Sequence, residues 1–549
     1  MDTKRLIIAL ALSLVVLFGW SYLFPPEEPT APPPAPAAAA DAKIEPGKAG
    51  AASAEGAAAT PGASAAGSAA PAQGKAITVK TPLYTAVFNT QGGVLESMVL
   101  GKFRESITKD SHLINIIGDK AKGRAAMGVI LLPAGGEVHT WNSPGWTYEG
   151  AEEVTVAAGA KQTLVFSGEA AGLKLTRKLT IHADTYLIGE ELTVANPGTA
   201  AVTGKVAFTA ASAGLSPAGD QYNTTRIAYG KLKGGFDEVT STDDLEKKGL
   251  GLKPEDRVRW GAIESNYFLF ILQPQGEEGA QADGRLKDGV FNLALTVPAT
   301  FEAGQTKTLI CDYFAGPADR SMLAAMPGKM ADAVDYGWFH VIALPLLSLL
   351  NWFFKYVHNY GIAIILLTVL IKIIFWPLSQ KSYKSMEQMK KIQPMLQKIR
   401  EKYADDKEKQ NAEIMQLYKT YKVNPAGGCV PMLVQIPVFF GLYKALLGSI
   451  ELRHASFIPN LPFTDIVWLA DLSMKDPFYI TPLIMGATMF IQQKMTPTGG
   501  DPVQAKVMLF MPVIFTFMFL NFPAGLVVYW MVNNILSIAQ QWWMMRKAS

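Results

Sequence analysis

The sequence predicts a polytopic α-helical membrane protein, an N-terminal anchor helix plus a five-helix core, with an extracytoplasmic antiparallel β-sandwich domain between them. Three observations carry this reading. Apolar residues concentrate in residues 6 to 24 and again after about residue 338. The stretch between them alternates apolar and polar residues with period two. Lysine and arginine in the apolar half gather mainly in one long loop, as the positive-inside rule expects of a cytosolic segment. With 549 residues and 49% hydrophobic composition, the chain is long enough for several domains. A formal net charge of +3, with no basic run interleaved with aromatics, argues against direct nucleic-acid binding.

Lys4 and Arg5 precede the apolar run Leu6 to Phe24, which as a helix covers roughly 28 Å and can cross a bilayer. The run exceeds the core of a cleaved signal, and Trp20 and Tyr22 stand where interfacial anchors belong. Residues 1–24 therefore read as an uncleaved anchor with its N-terminus in the cytosol. No cysteine follows it to make a lipoprotein. Residues 25–75 are almost entirely Pro, Ala, Gly and Ser, a tether lacking the large apolar residues that offset chain ordering.

From 76 to 320 short strands follow one another. Leu173, Leu175, Leu179 and Ile181 alternate with Lys174, Thr176, Lys178 and Thr180, and Leu192-Thr193-Val194 runs into the turn Asn196-Pro197-Gly198. Residues 321–357 form a linking region whose apolar run, Trp338 to Phe354, contains Pro345, His340, Ser348 and Asn351. An amphipathic helix lying in the membrane plane fits this run better than a span. Parity supports that choice, because a span here would place the basic loop 379–424 outside the cell.

Residues 358–549 form the core, with spans at about 359 to 378, 428 to 448, 478 to 494, 507 to 522 and 525 to 543. Six crossings return the C-terminus, with Arg546 and Lys547, to the cytosol. Within 379–424, Tyr383, Met386, Met389, Ile392, Leu396, Ile399 and Tyr403, then Ile414, Leu417, Tyr418 and Tyr421, recur at three or four residues around Asp405-Asp406. That pattern predicts a cytosolic helical hairpin, with Pro394 bending its first arm.

No phosphate-binding loop, zinc-protease helix or nucleophile elbow is present, and the six histidines (His112, His139, His182, His340, His358, His454) lack metal-ligand spacing. The chain reads as non-enzymatic, with no catalytic residue, metal or cofactor. By this topology Cys311 lies outside the membrane and Cys429 near its inner surface, which argues against a disulfide between them. Work on a substrate would then draw on the substrate's own partitioning, about 10 kcal/mol for a 20-residue apolar segment. Such a segment lacks only a path for its polar flank.

Polar residues within the spans are therefore the candidates. Thr368 and Lys372 share one helix face at i, i+4, as do Tyr529 and Asn533, and Gln435 lies between Pro431 and Pro437. The plainer readings are a lysine snorkelling to the interface and side chains that only hydrogen-bond between helices. Their spread over three spans favours a shared wet cavity. Met485, Met489, Met508, Met511 and Met518 would add an adaptable apolar surface.

The chain resembles the YidC/Oxa/Alb family of membrane protein insertases along essentially its whole length. The runs that carry the resemblance are Asn424-Pro425-Ala426-Gly427-Gly428-Cys429, Gln435-Ile436-Pro437, Met511-Pro512-Val513-Ile514-Phe515 and Phe522-Pro523-Ala524-Gly525-Leu526. The resemblance implies a hydrophilic groove open to cytosol and lipid, lined by Thr368, Lys372, Gln435, Tyr529, Trp530 and Asn533. It implies that clients pass between the helices at 428 to 448 and 507 to 522. Implied with it are an insertase and folding chaperone in the bacterial inner membrane, a supersandwich like that of sugar mutarotases, nascent membrane proteins as clients, and the Sec translocon as partner. Ribosomes or targeting factors would meet residues 379–424, since the C-terminal end is a short stub. The family usually carries arginine where this chain has Lys372. Competing readings are a channel or transporter with an intramembrane cationic site, and a scaffold that only anchors its outer domain; neither accounts as well for the polar residues in unrepeated spans.

Overall fold

The computed structural model describes residues 74–217, 222–421, 423, 430–495 and 502–548. The predicted anchor, nearly all of the tether and the run Asn424 to Cys429 lie outside these residues.

Period-two alternation becomes strand geometry as expected. Leu173–His182 buries Leu173, Leu175, Leu179 and Ile181 and pairs antiparallel with Lys161–Ala170 and Leu187–Ala195. These strands sit in a nine-stranded sheet, beside a four-stranded sheet built around Val202–Ser212 and Val290–Phe301. The two faces meet where Leu293 and Leu295 pack closely over Gly261. A further five-stranded sheet starts at Ala76–Lys80, whose pairing with Glu153–Thr155 is parallel.

Arg177 falls on the buried parity of its strand. It forms a two-point ion pair with Glu190, at 2.7 and 2.9 Å, and its remaining donors reach the carbonyls of Gly92 and Met127. Four acceptors around one guanidinium make burial of this charge tolerable.

Glu264 is the opposite case. Arg226 Nε donates to its Oε1 at 2.9 Å, but Oε2 is buried with no hydrogen-bond partner among the described residues. Burial pushes this carboxyl up from 4.5 to about 7. The folded state therefore binds the proton more tightly than the unfolded chain, and this contribution to stability is lost as pH rises from about 4.5 through 7. Glu264→Gln is expected to flatten that part of the profile. Thermal unfolding at pH 5 and pH 8 should differ less in the variant than in the parent protein.

Ten helices are described: α1 (Thr242–Lys247), α2 (Arg320–Ala324), α3 (His340–Val357), α4 (Tyr360–Ile374), α5 (Trp376–Lys402), α6 (Lys407–Thr420), α7 (Val430–Leu447), α8 (Ile480–Met495), α9 (Pro502–Phe519) and α10 (Ala524–Ala548). The five expected spans hold α4, α7, α8, α9 and α10, but the first, at 359 to 378, is broken: α4 ends at Ile374 and α5, starting at Trp376, bends away by 63°. Local signals set their starts. Asn359 accepts from the Ile362 amide at 3.0 Å to cap α4, and buried Asp476 accepts from the Thr481 amide and hydroxyl at the start of α8.

By length and apolarity, Gly337–Val357 is the one described helix able to cross a bilayer unaided, and α4 with α5 passes that test only as a bent pair. That helix packs along the second half of α7 and the segment after it. Phe339 stacks on Phe440, Ile342 lies against Gly441, Asn351 reaches Glu451, and the Tyr360 hydroxyl donates to Asn351 at 3.1 Å. Its outward face carries exposed Trp338, Val341, Trp352 and Tyr356.

The β domain touches the loops of the core. Arg453 donates to the carbonyls of Arg104 and Glu105, its guanidinium lies 5.2 Å from the Phe268 ring, and Tyr222 sits 5.3 Å from Phe522.

Residues 381–428 belong to a separate compact unit. There Ile392, Leu396 and Val423 are buried with Met389, Ile414, Leu417 and Tyr418 against them, and Gln410 donates to the Arg400 carbonyl across the break. Of the predicted periodic residues, Met389, Ile392, Leu396, Ile414, Leu417 and Tyr418 form the hairpin's own seam, whereas Tyr421 is exposed. Pro394 sits inside one uninterrupted helix, α5.

Candidate functional site

The polar residues predicted on three helices converge on α10. Lys372 of α4 donates from Nζ to the Ser537 hydroxyl at 2.7 Å, and Ser537 donates to the Asn533 carbonyl at 2.7 Å. On the other side, Gln435 of α7 donates from Nε2 to the Asn533 side-chain oxygen at 2.7 Å. Asn533 and Ser537 are one helical turn apart, so a single stripe of α10 receives both neighbours. Lys372, Gln435 and Asn533 are all half-buried.

α4, α7, α8, α9 and α10 carry no aspartate or glutamate. The Lys372 ammonium is therefore held by a hydroxyl and, among the described residues, has no carboxylate partner. An ammonium with one neutral acceptor in an apolar surrounding is costly unless water reaches its other donors.

The remaining candidates sit differently. Thr368 is buried, and its hydroxyl donates back to the Ile364 carbonyl at 2.7 Å within its own helix. Tyr529 is 1% exposed, and its hydroxyl lies near Gln435 without a bond of proper geometry. Trp530 turns toward α7 and α9, its ring 4.7 Å from Phe439 and 5.4 Å from Phe519, with its indole N–H unpaired among the described residues. Lys372, Gln435 and Asn533 thus form one linked cluster, and Thr368, Tyr529 and Trp530 frame it.

Ser537 was not singled out from the sequence, although it directly receives Lys372. Its signal was there: Asn533, Ser537 and Gln541 repeat at four residues, and Asn534, Gln540 and Gln541 are also buried on α10. Gln541 donates to the Met495 carbonyl at 2.8 Å, extending the stripe to the end of α8.

Next to this cluster, α9 presents Met508, Phe510, Met511, Ile514, Phe517 and Met518 outward, and α7 presents Val434 and Ile436. Met485, by contrast, is fully buried on α8 beside Gly486, which lies against Thr516 of α9. The methionines thus divide between packing and open surface.

The described residues thus place a helical core bearing a buried polar stripe beside a large β-rich domain. Residues 352–549 match the family described as 60Kd inner membrane protein, and residues 76–349 match the YidC periplasmic domain. Over 548 residues the chain is 52% identical to a protein of Maridesulfovibrio salexigens named membrane protein insertase YidC, covering 100% of this chain and 99% of that one. A like-named protein of Nitratidesulfovibrio vulgaris (strain Miyazaki F) is 51% identical with full coverage of both, and one from Geobacter metallireducens is 42% identical, covering 98% of this chain and 97% of its own. The chain belongs to the YidC family of membrane protein insertases.

Among solved structures it is similar to an active YidC insertase with its first transmembrane domain resolved, at 20% identity and TM-score 0.35, covering 85% of this chain and 92% of that one. A putative aldose 1-epimerase from Escherichia coli is similar at 11% identity and TM-score 0.27, covering 44% of this chain and 99% of that one.

Proposed function

We propose that this insertase moves apolar client segments from the cytosol into the inner membrane along a hydrated groove made by Lys372, Gln435 and Asn533 with Ser537, framed by Thr368, Tyr529 and Trp530. The observation that carries this is the Lys372–Ser537 contact, a cation with no carboxylate partner among the described residues, held in helices without carboxylates. Water around that cation lowers the barrier for a client's polar flank. The client's apolar segment meanwhile lies on the exposed Met- and Phe-rich face of α9 and on α7.

In this reading residues 1–24 are the anchor, 25–75 the tether, 76–320 the periplasmic β domain and 321–357 the interfacial region. Residues 358–549 are the five-span core, with both chain termini cytosolic. The interfacial position of α3 rests on the charge of the loop 379–424, which a span at α3 would place outside the cell. The hairpin 379–424 receives nascent clients, ribosomes or targeting factors in the cytosol, and the insertase works alone or beside the Sec translocon.

Water access tests the groove. In a background carrying Cys311→Ser and Cys429→Ser, cysteines placed at Asn533 and Gln435 should react with a membrane-impermeant maleimide added from the cytosolic side. A cysteine at Phe517, on the outward apolar face, should not. Equal protection of all three would overturn the groove.

The β domain is accessory in this account, because the polar cluster lies wholly among the core helices. Deleting about residues 80 to 310 while keeping α3 should leave insertion largely intact in a depletion strain, despite loss of the Arg453 contacts. Loss of insertion at normal protein levels would contradict it.

A further inference from the structure

We propose that the cavity between the β domain and the start of α3 binds the phosphate headgroup of an anionic phospholipid from the outer leaflet. The cavity, about 410 Å³, is lined by four cationic side chains, Lys231, Arg259, Arg320 and Lys329, with His340 and Leu344 supplied by α3. Asp332 and Asp335 also line it, and Lys231 pairs with Asp237 at 3.2 Å. The two guanidinium groups are held by neutral carbonyls. Arg259 donates to the Leu232 carbonyl at 3.1 Å, and Arg320 donates to those of Ala331 and Val334 at 2.6 and 3.0 Å. Those bonds orient the forks and leave their charge available to an anion.

What selects a lipid over a free anion is the adjoining surface. Trp338 lies between two lining residues, Tyr336 and His340, yet points outward at 95% exposure, and Val341 beside it is 68% exposed. A tryptophan at headgroup level next to a cationic hollow matches an amphiphile whose phosphate enters the cavity while its chains run along Trp338 and Val341. The site rests on the reading of α3 as an interfacial helix. It would fix the insertase's outer side to the anionic lipids around it.

The test uses the full-length protein in a neutral detergent, with calorimetric titration of dihexanoyl-phosphatidylglycerol, dihexanoyl-phosphatidylcholine and inorganic phosphate. The anionic phosphatidylglycerol should bind, and the other two should bind at least about tenfold more weakly. Lys329→Gln, an exposed residue whose change leaves the fold unstrained, and Arg259→Gln should each weaken phosphatidylglycerol binding about tenfold. Lys307→Gln, elsewhere on the domain, should leave it unchanged. Equal binding by the parent protein and Lys329→Gln, or inorganic phosphate binding as tightly as the lipid, would overturn the proposal. A soluble lipid keeps this result independent of the depth of α3, which a nitroxide at Val341→Cys reads separately in vesicles.

Discussion

Lys372→Glu and Lys372→Ala are expected to slow insertion by about tenfold or more for clients with acidic leading segments, and least for strongly apolar ones. Attraction at about 4 Å in a partly hydrated site amounts to one to a few kcal/mol, and 1.4 kcal/mol is tenfold in rate. The fold should survive the change, because the Ser537 hydroxyl keeps its bond to the Asn533 carbonyl when the lysine is gone. Lys372→Arg should retain activity, since charge matters here more than shape. A lysine that only snorkels predicts near-neutral effects for every client. Protease-protected insertion of a matched client pair, differing only in acidic residues on the crossing segment, decides the matter. An equal response of both clients to Lys372→Ala would rule out the electrostatic role.

Removing residues 384–420 is expected to cut insertion by about tenfold while leaving the helical core folded. The hairpin's seam is small, with Ile392, Leu396 and Val423 its buried apolar residues, so it should open at low cost. Hydrogen exchange in the parent protein should accordingly be faster across α5 and α6 than in α4 or α10. Exchange there as slow as in α4 would identify a rigid plug, and the account of a mobile receiving element would fail.

Much of the fold was legible because its signals are local and periodic. Alternation at Leu173 to Ile181 gave a strand with its buried face assigned, and the three-four spacing from Met389 to Tyr418 gave the hairpin seam. Arg177 was not legible in this way. It stands at a core position of an alternating strand, and only the three-dimensional convergence of Glu190, Gly92 and Met127 explains a buried charge there.

The site shows the same division. Spacing placed Lys372, Gln435 and Asn533 on helix faces, but which residue receives the lysine depends on how α4 and α10 pack, and so Ser537 was missed. Thr368 shares the Lys372 face by spacing, but that its hydroxyl donates back to the Ile364 carbonyl follows only from its burial. The parallel pairing of Ala76–Lys80 with Glu153–Thr155 joins segments too far apart in sequence for any turn signal to announce it.

The central claim is that the cluster on α4, α7 and α10 provides a path for a polypeptide. Reconstitution of the purified protein in liposomes tests it most directly, by adding a short client and measuring its protease protection together with leakage of a trapped small solute. The account predicts client insertion well above that of empty liposomes, reduced by Lys372→Glu, with no solute crossing. Solute flux without client insertion would mark the Lys372 site as part of a channel or transporter and contradict the account.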